Sequence, residues 1–179
     1  TALLFCLEYA MGRKLYKNYM MNYKKEVDDI LTLKWIPLNR ETIKDLKNGK
    51  YPVVYVLAVS SENNITDKVV EMKDVFYIGM SNAKNGVKSR LKQFLLGVKK
   101  GTSHSAGMRF KKEKDQKEWN SNFYFAAKGY ECNVVKTTNG DKSRDASDLR
   151  IMGDVAKLEY ELLAIYKEVM NKEPDLNKK

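Results

Sequence analysis

Residues 51–60 read Tyr51-Pro-Val-Val-Tyr-Val-Leu-Ala-Val-Ser60, and this run decides the fold. It is β-branched, aromatic and almost continuously apolar, which predicts a buried strand. Outward from it, Val69 to Gly79 ends in DVFYIG and predicts a second strand. Val87 to Val98 predicts a helix with Val87, Leu91, Phe94, Leu95 and Val98 on one side. Lys99 to Ser121 is polar and basic and reads as a loop with at most a short helix. Asn122 to Thr138 supplies further strand material around NFYFAA and ECNVVKT. Asn139 to Gly153 reads as a polar loop. Asp154 is the expected cap of a last helix reaching about Met170, with an extended tail beyond Pro174. On the N-terminal side, Asn39 caps a short helix, Arg40 to Lys47, stopped at Asn48-Gly49. Residues up to about Trp35 read as helical, with Leu4, Leu7, Tyr9, Leu15, Tyr19, Val27, Ile30 and Leu31 as apolar positions and Gly12 as a break. No internal repeat and no low-complexity linker is present. The pattern predicts a small mixed α/β (α+β) layer: residues 1–36 as an N-terminal helical extension and 37–179 as one compact domain.

Composition bounds the function. Of 179 residues, 43% are hydrophobic and 31% charged, which suits a soluble globular chain rather than a disordered one. Lys plus Arg number 33 against 23 acids, a net charge of +10 that favours a polyanionic partner. The cations cluster from Lys84 to Lys117, through Lys88, Arg90, Lys92, Lys99, Lys100, Arg109, Lys111, Lys112 and Lys114, opposed only by Glu113 and Asp115. Such a field suits a phosphate backbone, with a solvated face as the alternative reading and a membrane surface a weaker one. No stretch is apolar enough to span a bilayer. The opening TALLFCLEYAMGRK lacks a basic start and reads as no signal peptide. Cys6 and Cys132 stand far apart with one histidine, His104, which argues against a zinc site and for a reducing, cytoplasmic setting.

Four kinds of position carry candidate chemistry. On the last helix, Val155, Leu158, Leu162, Leu163, Ile165, Tyr166, Val169 and Met170 form an apolar face, and Glu159 falls inside it. An acid there loses water unless it gains a cation or hydrogen bonds. A divalent metal would supply the charge, and a structural salt bridge or an acid snorkelling at the edge is the other reading. Arg90 flanks the apolar face of its helix beside Phe94, where a guanidinium could hold phosphate oxygens or simply line an amphipathic helix. Tyr55 and Tyr77 lie on neighbouring strands, where packing is the ordinary role of tyrosine. His104 sits in GTSHSAG, as a general base or as an exposed loop residue.

Taken in order, these positions resemble the motifs of the GIY-YIG nucleases. Val53-Val54-Tyr55 stands in the first half of the motif pair that names the family and Tyr77-Ile78-Gly79 in the second. VKSRLKQF resembles the helix carrying the family's Arg, at Arg90. LEYELLAIY resembles the helix carrying its metal-binding Glu, at Glu159, and PDLNKK the closing motif with its Asn, at Asn177. The likeness runs from about Leu38 to Asn177. Val53 replaces the first motif's glycine, the spacer between the tyrosine motifs resembles the longer one of the family's restriction enzymes, and His104 lies further from Arg90 than the family's His does. Some relatives use Lys or Tyr instead of His, which would bring in Lys88 or Lys92.

The resemblance implies a three-stranded antiparallel sheet flanked by helices and hydrolysis of a DNA phosphodiester with one divalent ion. It implies that Glu159 holds Mg²⁺ or Mn²⁺ and Arg90 neutralises charge on the phosphoryl oxygens. Tyr55, helped by His104 or a lysine, activates water, Tyr77 orients water or phosphate, and Asn177 supports the tyrosines. The expected substrate is double-stranded DNA, cut in the manner of a restriction or mobile-element endonuclease. The expected contacts are Lys88, Lys92, Lys99, Lys100, Arg109, Lys111 and Lys112, and the recognition surface is the N-terminal helices with the 99–121 loop. A homodimer follows if both strands of a two-fold site are cut. A structure-specific repair nuclease, a non-catalytic DNA-binding protein of the same fold and a basic protein-interaction module are the alternatives.

Overall fold

The computed structural model describes residues 22–46, 51–60, 64–83, 85–113, 122–132, 135–136 and 142–177. Their order is α1 (Tyr23–Leu31), β1 (Ile36–Pro37), α2 (Arg40–Asp45), β2 (Val53–Ser60), a 3₁₀ turn (Met72–Asp74) and β3 (Val75–Ser81). There follow α3 (Gly86–Lys100), α4 (Ser105–Glu113), β4 (Asn122–Gly129), the short pair β5 (Val135–Lys136) and β6 (Lys142–Ser143), and α5 (Ala146–Met170). The expected N-terminal helix positions from Leu4 to Tyr19, the Gly12 break, the Asn48-Gly49 stop and Lys84, Lys114 and Lys117 lie outside the described residues.

The sheet is antiparallel with strand order β1-β4-β2-β3. It has four strands rather than the expected three, because Ile36 and Pro37 pair with Phe125 and Tyr124 as a two-residue edge. β2 is central, which explains its unbroken apolar run: Val54, Val56 and Ala58 enter one core, and Val53, Tyr55 and Leu57 the other. On the first face lie α1 and α5, through Val27, Ile30, Val155, Leu158, Leu162 and Tyr166. On the second lie α2, α3 and α4, through Ile43, Leu91, Phe94, Ala106 and Phe110. Val27, Ile30 and Trp35, which precede the expected boundary at 36, are buried in the core of the first face.

Val53 is buried in β2, paired with Ser81 and Gly129, so the strand runs through that position without a glycine.

Further expectations are corrected at the last helix. The last helix begins at Asp145, whose carboxylate accepts from Asp148 N, and not at Asp154. Its first turns carry Ser147, Asp148 and Arg150, a polar run that resembles a loop, yet Asp148 is fully buried. Val169, expected on the apolar face, is exposed. After Lys99 the possible short helix is present as α4. α3 ends on Gly101 at φ +75°, and α4 starts four residues later.

The α3–α4 corner is closed by two glycines. A Cβ on Gly107 would lie 2.5 Å from Phe94 O and 3.0 Å from Gly97 Cα, and one on Gly97 would lie 3.0 Å from His104 O. The helix backbones therefore touch directly, and this contact fixes where His104 points. Gly107→Ala should accordingly destabilise the protein by about 1–3 kcal/mol, as an overpacked core position does. Gly153→Ala, with nothing within 4 Å of its Cβ, should stabilise by about 0.5–1 kcal/mol through helix propensity. Urea midpoints for the two variants check both signs.

Candidate active site at the edge strand

β3 is an edge strand, and the register slips within it. Leu57 faces Tyr77 while Ala58 faces Val75, so Phe76 is an extra residue, a β-bulge. Tyr77, opposite Leu57, faces the side that holds Tyr55, and the bulge brings the neighbouring Phe76 to that side too. Tyr77 and Tyr55 lie with ring centroids 6.0 Å apart, tilted by 43°. Both rings rest on Gly79. A Cβ there would meet Tyr77 Cε1 at 2.7 Å and Tyr55 Cζ and Oη at 2.9 Å, so the glycine of Tyr-Ile-Gly is required by the two phenols above it.

His104 completes the aromatic group. It follows Ser103 at φ +78°, and its carbonyl accepts from Met108 N in the first turn of α4. The imidazole is 4% exposed, edge-on to Tyr77 at 5.5 Å and to Phe94 at 5.7 Å, with Nε2 3.4 Å from Tyr55 Oη. It is thus a buried residue, not the exposed loop histidine of the alternative reading. Nδ1 has no partner among the described residues. Burial, then the charges of Arg90 and Arg109, pull its pKa down to about 4, so the ring is neutral at pH 7.

Two opposite charges act on the phenols. Burial raises Tyr55 well above the usual tyrosine range and raises Tyr77 less. On both, the guanidinium of Arg90, exposed on α3, lowers the pKa and the carboxylate of Glu159, half-buried on α5, raises it. Arg90 and Glu159 belong to opposite helical layers, and both act on the two phenols. Tyr55 is 1% exposed and Tyr77 half-buried, so Tyr77 is the phenol that solvent reaches.

The chain's end seals the same edge. Asn177 lays its amide along the free side of Ile78: Ile78 N donates to Oδ1 at 2.8 Å and Nδ2 donates to Ile78 O at 2.7 Å. Leu176, buried, donates its N–H to the bulge carbonyl of Phe76 at 3.0 Å, and Arg109 donates to Leu176 O. Asn177 therefore acts on the backbone between Tyr77 and Gly79 rather than on a phenol.

The remaining cations divide. Lys88 donates to the carbonyls of Lys44 and Leu46 at 3.0 and 3.2 Å, closing the end of α2, and Lys111 donates to Lys99 O. Lys92 and Lys99 line a groove between α2 and α3, while Lys100 and Lys112 are exposed. Lys88 and Lys92 stand roughly 160–200° around α3 from Arg90 and do not join the tyrosines. Sequence patterning missed the bulge at Phe76, the Gly97–Gly107 contact and the role of Arg109. The one signal for them was the pair of glycines flanking His104.

The donor set decides which metal would suit this place. Among the described residues, no group of three or more His, Cys, Asp or Glu side chains could hold an ion alone. Glu159 and the two phenols offer hard oxygens only. That fits Mg²⁺ or Mn²⁺, which keep waters and complete their shell with one or two carboxylates and substrate phosphate, and does not fit zinc.

The buried neutral imidazole has a consequence for stability. Between pH 6.5 and about 4 the unfolded chain protonates His104 and the folded chain does not, so stability falls as pH drops through this window. Replacing His104 by Gln should flatten that part of the stability–pH curve, measured by urea unfolding at intervals of pH. An identical curve for the variant would place another group behind the acid limb.

Among the described residues no helix is long and apolar enough to cross a membrane. The chain matches no protein-family profile, and no curated protein sequence matches it. Among solved structures, the restriction endonuclease HPY188I in complex with product DNA aligns with it at 18% identity, over 89% of this chain and 87% of that one, with a TM-score of 0.36.

Proposed function

We propose that this protein is a divalent-metal-dependent DNA endonuclease that hydrolyses phosphodiester bonds in duplex DNA, in the manner of a restriction or mobile-element nuclease. One observation carries the reading. Two phenols and a neutral imidazole pack together beside one sheet edge, and the charges of Arg90 and Glu159, from the helices of opposite faces, act on both phenols. A net charge of +10 makes a polyanion the natural substrate. In this reading Glu159 holds Mg²⁺ or Mn²⁺, which when bound polarises the phosphate and stabilises the leaving oxygen.

The chain's own residues do the rest. Arg90, exposed and within electrostatic reach of both phenols, neutralises charge that develops on the phosphoryl oxygens. Tyr77, at the surface, orients the attacking water. Tyr55 is too weak an acid to exist as phenolate at neutral pH. It therefore works as a relay: its oxygen takes the proton arriving from the water side as its own proton passes to Nε2 of His104. An imidazolium at His104 is disfavoured by burial and by two arginines, and a bound phosphate anion offsets that penalty. Asn177 keeps the Tyr77–Gly79 backbone in register. Cutting both strands at a two-fold site would take two copies of the chain.

The test is plasmid nicking in Mg²⁺ beside DNA binding in Ca²⁺. Glu159→Gln should slow cutting by roughly 10²-fold or more with binding nearly unchanged. Tyr55→Phe and His104→Ala should each lose activity, and their double variant little more, because residues acting as one unit are not additive. Substantial cutting by Glu159→Gln removes the metal role. Near-parental rates for His104→Ala at every pH remove the relay. DNA binding by a parent protein that never cuts would favour a non-catalytic DNA-binding protein.

A further inference from the structure

A second surface lies on the far side of α3. Ile43 with Leu95 and Leu96 floors a groove of about 370 Å³ between α2 and α3, and Arg40, Lys44, Lys92 and Lys99 rim it. The volume is at the lower end of ordinary ligand sites, which run roughly 300–1,000 Å³. On α3 the groove takes positions 92, 95, 96 and 99, the i, i+3, i+4, i+7 stripe of one helical face. Lys92 stands about 200° around the helix from Arg90, so the groove is separate from the tyrosine site. None of its four cations makes an ion pair with a described residue, and among the described residues no acid lines it. Leu96 remains 37% exposed beside them.

We propose that this groove docks an acidic amphipathic helix of a protein partner. An apolar floor needs an apolar ridge, and a rim of four uncompensated cations needs carboxylates flanking that ridge. A helix with leucine-like residues at i, i+4 and i+7 and acids beside them presents both. A nucleic-acid strand satisfies only the rim. Its bases would stack on aromatic side chains, and the described residues lining the groove include none; its sugar–phosphate backbone has no apolar ridge for Ile43, Leu95 and Leu96. The inference is independent of whether the tyrosine site cuts DNA.

The probe is a fluorescent helical peptide with leucines at i, i+4 and i+7 and glutamates elsewhere, titrated with the full chain and read by anisotropy. The parent should bind it. Leu96→Asp, and separately the Arg40→Glu/Lys44→Glu double variant, should weaken binding roughly tenfold or more while circular dichroism stays unchanged. A peptide of the same composition with its leucines scattered around the helix should bind no better than those variants do. Three results overturn the proposal: equal binding of the scattered peptide, unchanged binding by both variants, or competitive displacement of the peptide by a short DNA duplex, which would make the groove a nucleic-acid surface.

Discussion

Everything at the candidate site depends on a backbone with nothing on it. Gly79 lies directly under the rings of Tyr55 and Tyr77, at distances where even a methyl group would overlap both. A strand residue with a side chain at this position would lift the rings away from the sheet and from His104. The register supplies the other half of the constraint: Tyr77 and Gly79 stand opposite Leu57 and Tyr55 and so share their face. Close packing thus sets the separation of the phenols, and interiors packed this tightly do not deform continuously.

The same edge strand reconciles two layers that would otherwise stay apart. Arg90 rides on the helices of one face and Glu159 on the long helix of the other, and the charges of both act on the phenols beside the edge strand. An open strand edge is ordinarily a liability for aggregation. Here Leu176 and the amide of Asn177 pair with its free groups, and Arg109 holds that tail in turn. A cation expected on DNA is therefore part of the scaffold. So is Lys88, whose ammonium closes the end of α2.

Sequence made the central strand, the helix of Arg90 and the odd placement of Glu159 legible, since each rests on periodicity or on an unbroken apolar run. His104 was visible as the lone histidine but not as a buried one. Its burial comes from the Gly97–Gly107 contact, between residues ten apart on different helices, and local patterning carries no such information. The start of α5 was hidden for a related reason: Asp148 is buried by tertiary packing although its neighbours look like loop. The two-residue strand β1 is too short to have any period at all. The bulge leaves no mark on composition; it appears only once β2 and β3 are paired.

Gly79→Ala probes the arrangement most directly, because it adds one methyl group beneath both phenols and removes no functional group. The variant should remain folded and bind duplex DNA in Ca²⁺ much as the parent does. Its single-turnover cleavage of an end-labelled duplex in Mg²⁺ should fall by roughly 10²-fold, as misplacement of reacting groups by about 1 Å would cause. Cleavage by the folded variant at the parental rate would contradict the account, since the phenols, the imidazole and the two charges would then not need the positions that Gly79 gives them.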